Sequence, residues 1–196
     1  FIESAREESL AAIGDACALK ASGRCRAVLV AGCLPQRYRD EIQAMLPDVD
    51  GFLGLDALDA IADVAASLAA GERGILAVPP RAERVFESSV PVTFSTGAYA
   101  YLKIAEGCDH RCAFCAIPAI RGRHRSRPVG AVVREATALV ARGFRELDLI
   151  SQDVMSYGAD RDDGASLVTL LEALDGALAD EPDCWVRLLY GYPSTC

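Results

Sequence analysis

The stretch Tyr99-Ala100-Tyr101-Leu102-Lys103-Ile104 runs through Ala105-Glu106-Gly107 into Cys108-Asp109-His110-Arg111-Cys112-Ala113-Phe114-Cys115. An apolar, β-prone run leads directly into three thiols spaced Cys-x3-Cys-x2-Cys, with an aromatic just before the last. Three thiolates on one short loop suit a cubane iron-sulfur cluster that keeps one iron without a protein ligand. That iron is then open to a small molecule. Zinc is the alternative, with His110 or His124 as fourth ligand. Zinc knuckles, however, pair one Cys-x2-4-Cys with a second pair some distance away, and the chain has none.

Outward from this loop the pattern alternates between strand and helix. Val129 to Arg142 places Val132, Val133, Ala136, Leu139 and Val140 on one helical face, with Gly143 as a stop. The strand Leu147–Ile150, a helix over Ser166–Ala179 and a strand over Trp185–Tyr190 follow. Strands joined by helical crossovers predict the opening of a parallel β/α barrel, in which reactive groups collect at the C-terminal ends of strands. The cysteine loop leaves the chain at such an end.

Upstream, Ser4 to Ala21 carries Ala5, Leu10, Ile13 and Cys17 at helical spacing, stopped by Ser22-Gly23. Arg26–Ala31 is a short buried strand ending in Gly32-Cys33-Leu34-Pro35, which opens a helix through Gln36 to Leu46. The apolar run Gly51–Leu53 and an Ala-rich helix over Asp56–Ala70 complete a small α/β unit. From Val78 to Thr96 the residues Pro79, Pro80 and Pro91 mark a linker. The expected organisation is a first α/β domain over 1–78, a linker over 79–97 and the barrel portion over 98–196.

Composition narrows the class. With 196 residues and 52% hydrophobic content the chain can bury a core, and no run approaches the roughly 20 apolar residues of a membrane span. The start, Phe1-Ile2-Glu3-Ser4, has no secretory pattern. Eight cysteines at irregular spacing do not form a disulfide framework, and a reducing cytoplasm fits thiolate ligands. A net charge of −8 disfavours nonspecific attraction to nucleic acid and suits a basic protein partner.

Glu106-Gly107-Cys108, Phe114, Ile117-Pro118, Arg121-Gly122 and Ser126-Arg127-Pro128 together resemble the methylthiotransferase branch of the radical S-adenosylmethionine (SAM) superfamily. Gly32-Cys33-Leu34-Pro35-Gln36-Arg37-Tyr38 is similar to that branch's N-terminal domain. The resemblance implies a 4Fe-4S cluster on Cys108, Cys112 and Cys115 that binds and reductively cleaves SAM. It also implies a second, auxiliary 4Fe-4S cluster for which Cys33 is one of three ligands, the other two lying before Phe1. On this comparison the chain is incomplete at both ends, lacks the family's C-terminal TRAM domain, and is expected to be inactive as it stands.

Ile150-Ser151-Gln152-Asp153, Tyr157-Gly158 and Trp185 to Tyr190 are similar to RimO-type enzymes, which methylthiolate an aspartate β-carbon of small-subunit ribosomal protein S-twelve. The tRNA-modifying MiaB type has Gly-Gln-Asn in place of Ser151-Gln152-Asp153. An unactivated β-carbon offers no proton that a side-chain base removes easily, so a radical cofactor has to carry the step. The partners implied are the ribosomal protein and a reductant of the flavodoxin or ferredoxin kind, with tRNA disfavoured and no membrane. A noncatalytic iron-sulfur or zinc module is the alternative of a different class.

Other residues divide between function and packing. Phe114 either lies near the SAM adenine, as the superfamily implies, or anchors its loop. Ser151, Gln152 and Asp153 end a strand, where they hydrogen-bond SAM or substrate or else cap a turn. Arg121, Arg123, Arg125 and Arg127 with His124 form a basic stretch, mostly a solvated loop. Cys17 lies on an apolar helical face, and neither Cys25 nor Cys184 has ligand spacing; Cys196 departs from the family pattern and has no assigned role.

Overall fold

The computed structural model describes residues 3–85 and 97–192. Phe1, Ile2, residues 86–96 of the expected linker, and Cys196 lie outside the described residues. Packing divides the chain into two units, residues 3–85 with 110–122 and residues 97–109 with 123–192. The division is therefore not one between contiguous halves: a segment inside the cysteine loop packs with the first unit.

In the first unit three short parallel strands, β1 (Leu29–Ala31), β2 (Gly51–Leu53) and β3 (Ile75–Ala77), lie side by side in chain order. The helix α1 (Glu3–Ala21) contributes buried Ile13, which joins Val28, Leu34, Ile42, Val49, Phe52 and Val78 in one core, with Leu10 and Cys17 against it. Asp50 fastens this assembly: its carboxylate accepts the Val28 amide at 2.8 Å, pairs with Lys20 of α1 at 2.8 Å, and meets Arg73 at 3.0 Å. Burial pushes its carboxyl up, yet these donors and cations hold it below the usual range.

The helix expected over Gln36–Leu46 is two pieces, α2 (Cys33–Arg37) and α3 (Ile42–Met45). Tertiary bonds explain the break, since Gln36 donates to the Pro79 carbonyl and Arg39 to that of Val78, both at 2.8 Å, past the end of β3. The helix expected over Asp56–Ala70 begins as a 3-10 turn, Leu55–Ala60, and continues as α4 (Ile61–Ala69). Asp56 accepts the amides of Glu83 and Arg84, so the chain stays pinned to this unit past Pro80. A short helix, α5 (Ile117–Arg121), packs on α2.

The second unit is a parallel three-stranded sheet of β4 (Tyr99–Lys103), β7 (Glu146–Ile150) and β8 (Trp185–Leu188), again in chain order. Between β4 and β7 lie a two-residue antiparallel ribbon, β5 (Ala105–Glu106) with β6 (Arg125–Ser126), and then α6 (Val129–Ala141). The helix α7 (Leu167–Ala177) links β7 to β8 and starts in a capping box made by Ser166 and Thr169. Alternation along the strands decides the faces: Ala100, Leu102, Leu147 and Leu149 pack with Val132, Ala136 and Leu139 of α6 and Leu170 and Leu174 of α7. Tyr99, Tyr101, Glu146, Asp148, Trp185 and Arg187 point to the opposite face. Parallel strands in sequential order with helical crossovers give the expected mixed α/β architecture, the first part of a β/α barrel.

Candidate functional site

Cys33 opens α2 at the C-terminal end of β1. Gln36, one turn on, ties three strand ends together, for its amide bonds the Pro79 carbonyl while its carbonyl accepts Leu55 N–H at 3.1 Å. The Arg121 guanidinium of α5 donates to Cys33 Sγ at 3.6 Å. A cation on the sulfur suits a ligand that meets metal as an anion. The segment 110–122 thus brings Cys112 and Cys115 into the same unit as Cys33, and within it the Cys115 amide closes a turn on the Cys112 carbonyl at 3.0 Å.

Cys108 belongs to the second unit, where its neighbours are held on both sides. Gly107 donates its amide to Gln152 Oε1 at 2.7 Å. Asp109 accepts the His124 amide at 3.0 Å and the Arg123 guanidinium at 3.3 Å. The bond from His124 and the nearby Arg123 charge hold the Asp109 carboxyl below its ordinary range against the opposite pull of burial. A cavity of about 510 Å³ is lined by Asp109, Arg123, His124, Arg125, Ser156 and Asp160, with Ala159.

Beneath it lies a buried network. The Ser126 hydroxyl donates to Asp160 Oδ1 at 2.6 Å and accepts the Gly158 amide at 2.9 Å. Its only proton is thus used, so His124 Nε2 at 3.1 Å has to be the donor, while Nδ1 is buried and without a partner among the described residues. Burial raises the Asp160 carboxyl, but the two Ser126 hydrogen bonds bring it below the usual range. His124 is accordingly committed to this network rather than aimed at the thiols.

The described cysteines form no disulfide, and Cys33, Cys108, Cys112 and Cys115 are all part-exposed. Three unbridged, reachable thiols on one loop fit the donor chemistry of an iron-sulfur cluster. Among the described residues no three His, Cys, Asp or Glu side chains are gathered into a formed metal site. Thiols do not attract one another, and the binding free energy of the metal is what closes such loops.

Phe114 is 92% exposed, so it does not anchor the loop by packing. Ser151 and Asp153 are buried in turn structure: Ser151 Oγ accepts the Asp153 amide, and the Asp153 carboxylate caps the following 3-10 turn by accepting Met155 N–H and the Ser156 hydroxyl. Gln152 is turned to Gly107. Arg127, expected in a solvated stretch, is instead buried, bonding the Lys103 carbonyl and pairing with Glu135 at 2.7 Å. Tyr157 donates to the Arg127 carbonyl at 2.7 Å, and burial pushes its phenol up to about 12. Cys17 and Cys184 pack against the two cores, and burial raises both thiols.

Sequence reasoning missed Arg121 as the partner of Cys33, Asp109 and Asp160 as network members, and the polar face of the second sheet. On that face Asp148 lies near Arg187, which pairs with Glu146 at 2.7 Å; burial and the Glu146 charge raise the Asp148 carboxyl.

The fold is shared with radical SAM enzymes. Two structures of the radical SAM methyltransferase TsrM from Kitasatospora setae superpose with TM-scores of 0.55 and 0.57, at 16% and 14% identity, over 87% of this chain and 38% of theirs. No family model matches the chain. In sequence it is 46% identical over 194 residues to the ribosomal protein uS12 methylthiotransferase RimO of Trichlorobacter lovleyi, and 43% identical over 197 residues to that of Pelobacter propionicus. Each alignment covers 98% of this chain and 42% of the relative, so the chain spans about two fifths of their length. Over the length it has, the chain is similar to these RimO-type methylthiotransferases.

Proposed function

We propose that the chain is the cluster-bearing part of a radical SAM methylthiotransferase acting on an aspartate of ribosomal protein uS12. The observation that carries this reading is the placement of Cys108-x3-Cys112-x2-Cys115 beyond the C-terminal end of β4, the position where barrel enzymes keep their reactive groups. In this reading Cys108, Cys112 and Cys115 hold a 4Fe-4S cluster and Cys33 contributes to a second. The expected domains, 1–78 and 98–196 joined by a linker over 79–97, are kept in this reading as sequence regions, although packing places 110–122 with the first unit. Bound at the first cluster, SAM supplies a one-electron route to a carbon that acid-base chemistry does not reach.

The protein's own residues bind and orient. Arg121 sets the Cys33 sulfur, Phe114 offers an exposed aromatic surface to the adenine of SAM, and the Ser151-Gln152-Asp153 turn shapes the rim. The name shared by the RimO relatives supports the ribosomal protein as substrate. A flavodoxin- or ferredoxin-type reductant, a cytoplasmic location and the absence of a tRNA or membrane partner complete the reading; no described helix is long and apolar enough to cross a membrane.

Anaerobic reconstitution of the full-length protein tests it. Cys112→Ala is expected to lose the iron and sulfide of the SAM-binding cluster, whereas Cys17→Ala keeps wild-type content. Equal iron loss in both variants, or zinc in place of iron, would contradict the ligand assignment. Mass analysis of uS12 and of tRNA from cells expressing the protein then decides the substrate: a methylthio group on tRNA alone overturns it.

A further inference from the structure

We propose that Gln152 is a positioning residue for Cys108, fixing through the Gly107 amide the backbone that carries this thiol before a cluster is bound. The inference rests on the reading of Cys108 as a cluster ligand. Its observation is different, however, because it concerns how the loop is held rather than what the thiols bind.

The β4–β7 ladder continues one bond past β4, where Ile104 donates its amide to the Ile150 carbonyl at 3.0 Å. There the chain turns away into the β5–β6 ribbon, and β7 itself ends at Ile150. Gln152, two residues beyond β7, supplies an acceptor from its side chain: Oε1 accepts Gly107 N–H at 2.7 Å. Gly107 has φ 77°, a left-handed conformation that a residue with a Cβ adopts only at a cost. The ladder is in effect prolonged by a side chain to the residue next to Cys108.

The other flank is held as well. Asp109 accepts the His124 amide, and two residues on Ser126 is fixed by Asp160 through both its amide, at 2.9 Å, and its hydroxyl. Cys108 therefore sits between two anchored neighbours, Gly107 held by its amide and Asp109 by its carboxylate, both within the second unit. Partners of this kind orient metal ligands, and their removal typically weakens metal binding. With its carbonyl committed to Gly107, Gln152 acts on the cluster loop through that bond rather than as a rim acceptor for SAM.

The test uses the full-length protein and three variants. Gln152→Leu removes the acceptor at nearly constant size, Gln152→Glu keeps an acceptor, and Cys108→Ala removes the thiol. After anaerobic reconstitution, iron loss to a chelator and the EPR spectrum of the reduced cluster are recorded. Gln152→Leu is expected to release iron about tenfold faster, with a broadened spectrum, while Gln152→Glu restores both toward wild type. Wild-type behaviour of Gln152→Leu, with iron lost in Cys108→Ala, overturns the positioning role alone. Equal loss in Gln152→Leu and Gln152→Glu overturns the acceptor role. Full iron retention in Cys108→Ala removes the ligand assignment and this proposal with it. Should Gln152→Leu fail to fold, amide exchange in the wild-type apoprotein decides: a protected Gly107 amide supports the anchor, and exchange at the rate of an open loop overturns it.

Discussion

At Gly158 a side chain has no room. A Cβ there would stand 2.2 Å from the Ala165 carbonyl oxygen and 2.6 Å from its carbon, both backbone atoms that cannot rotate away, and φ is +87°. The same residue donates its amide to Ser126 Oγ, the hub joining Asp160 and His124. Gly158→Ala is therefore expected to destabilise the second unit by about 3 kcal/mol, through displaced backbone and a disturbed buried hydrogen bond. Chemical denaturation followed by the fluorescence of Trp185 measures this, and a loss below about 1 kcal/mol would show that the turn shifts without strain.

Three elements of the first unit meet at one carboxylate. Asp50 joins the end of α1 through Lys20, the approach to β1 through Val28, and the approach to β3 through Arg73. Asp50→Asn keeps one acceptor oxygen but removes the negative charge facing Lys20 and Arg73 and turns an NH2 donor toward one of them, so it is expected to cost about 1 to 3 kcal/mol near neutral pH. Because the folded-state pKa lies below the unfolded value of about 3.9, this contribution is complete above that value and is lost as pH falls through the folded pKa. Acid titrations of wild type and Asp50→Asn should thus differ in stability at pH 6 and converge as the pH falls below the folded-state pKa of Asp50. Parallel curves over that range would place the effect elsewhere.

The two units have separate hydrophobic clusters, one around Phe52 and Ile42 and the other around Leu102, Leu147 and Leu170. The chain's single tryptophan, Trp185, lies on β8 of the second unit and is largely exposed. Sites in different cores with no shared partner perturb stability independently. Asp50→Asn is accordingly expected to leave the midpoint reported by Trp185 unchanged while lowering the far-ultraviolet circular dichroism midpoint of the first unit. Both probes shifting together by the same amount would mean that the units unfold as one.

Long, periodic elements were the most legible. The strands and helices of the second unit were readable because α6 and α7 run for three or more turns and repeat their apolar positions, and β4 and β7 alternate cleanly enough to fix one buried face. Strand β3, the β5–β6 ribbon and α5 escaped, since two to five residues carry no period. The helix expected from Gln36 split because Gln36 and Arg39 find carbonyls about 40 positions away, information that no local window holds.

The three-cysteine spacing and the parallel α/β class were written in local order, because thiol spacing and hydrophobic period are properties of neighbouring residues. Which side chain holds which was not. Gln152 reaches Gly107 across 45 positions and Arg121 reaches Cys33 across 88, and such pairs exist only once the chain has folded back and made a carbonyl or a sulfur the nearest partner for a donor that would otherwise be left in part-buried surroundings.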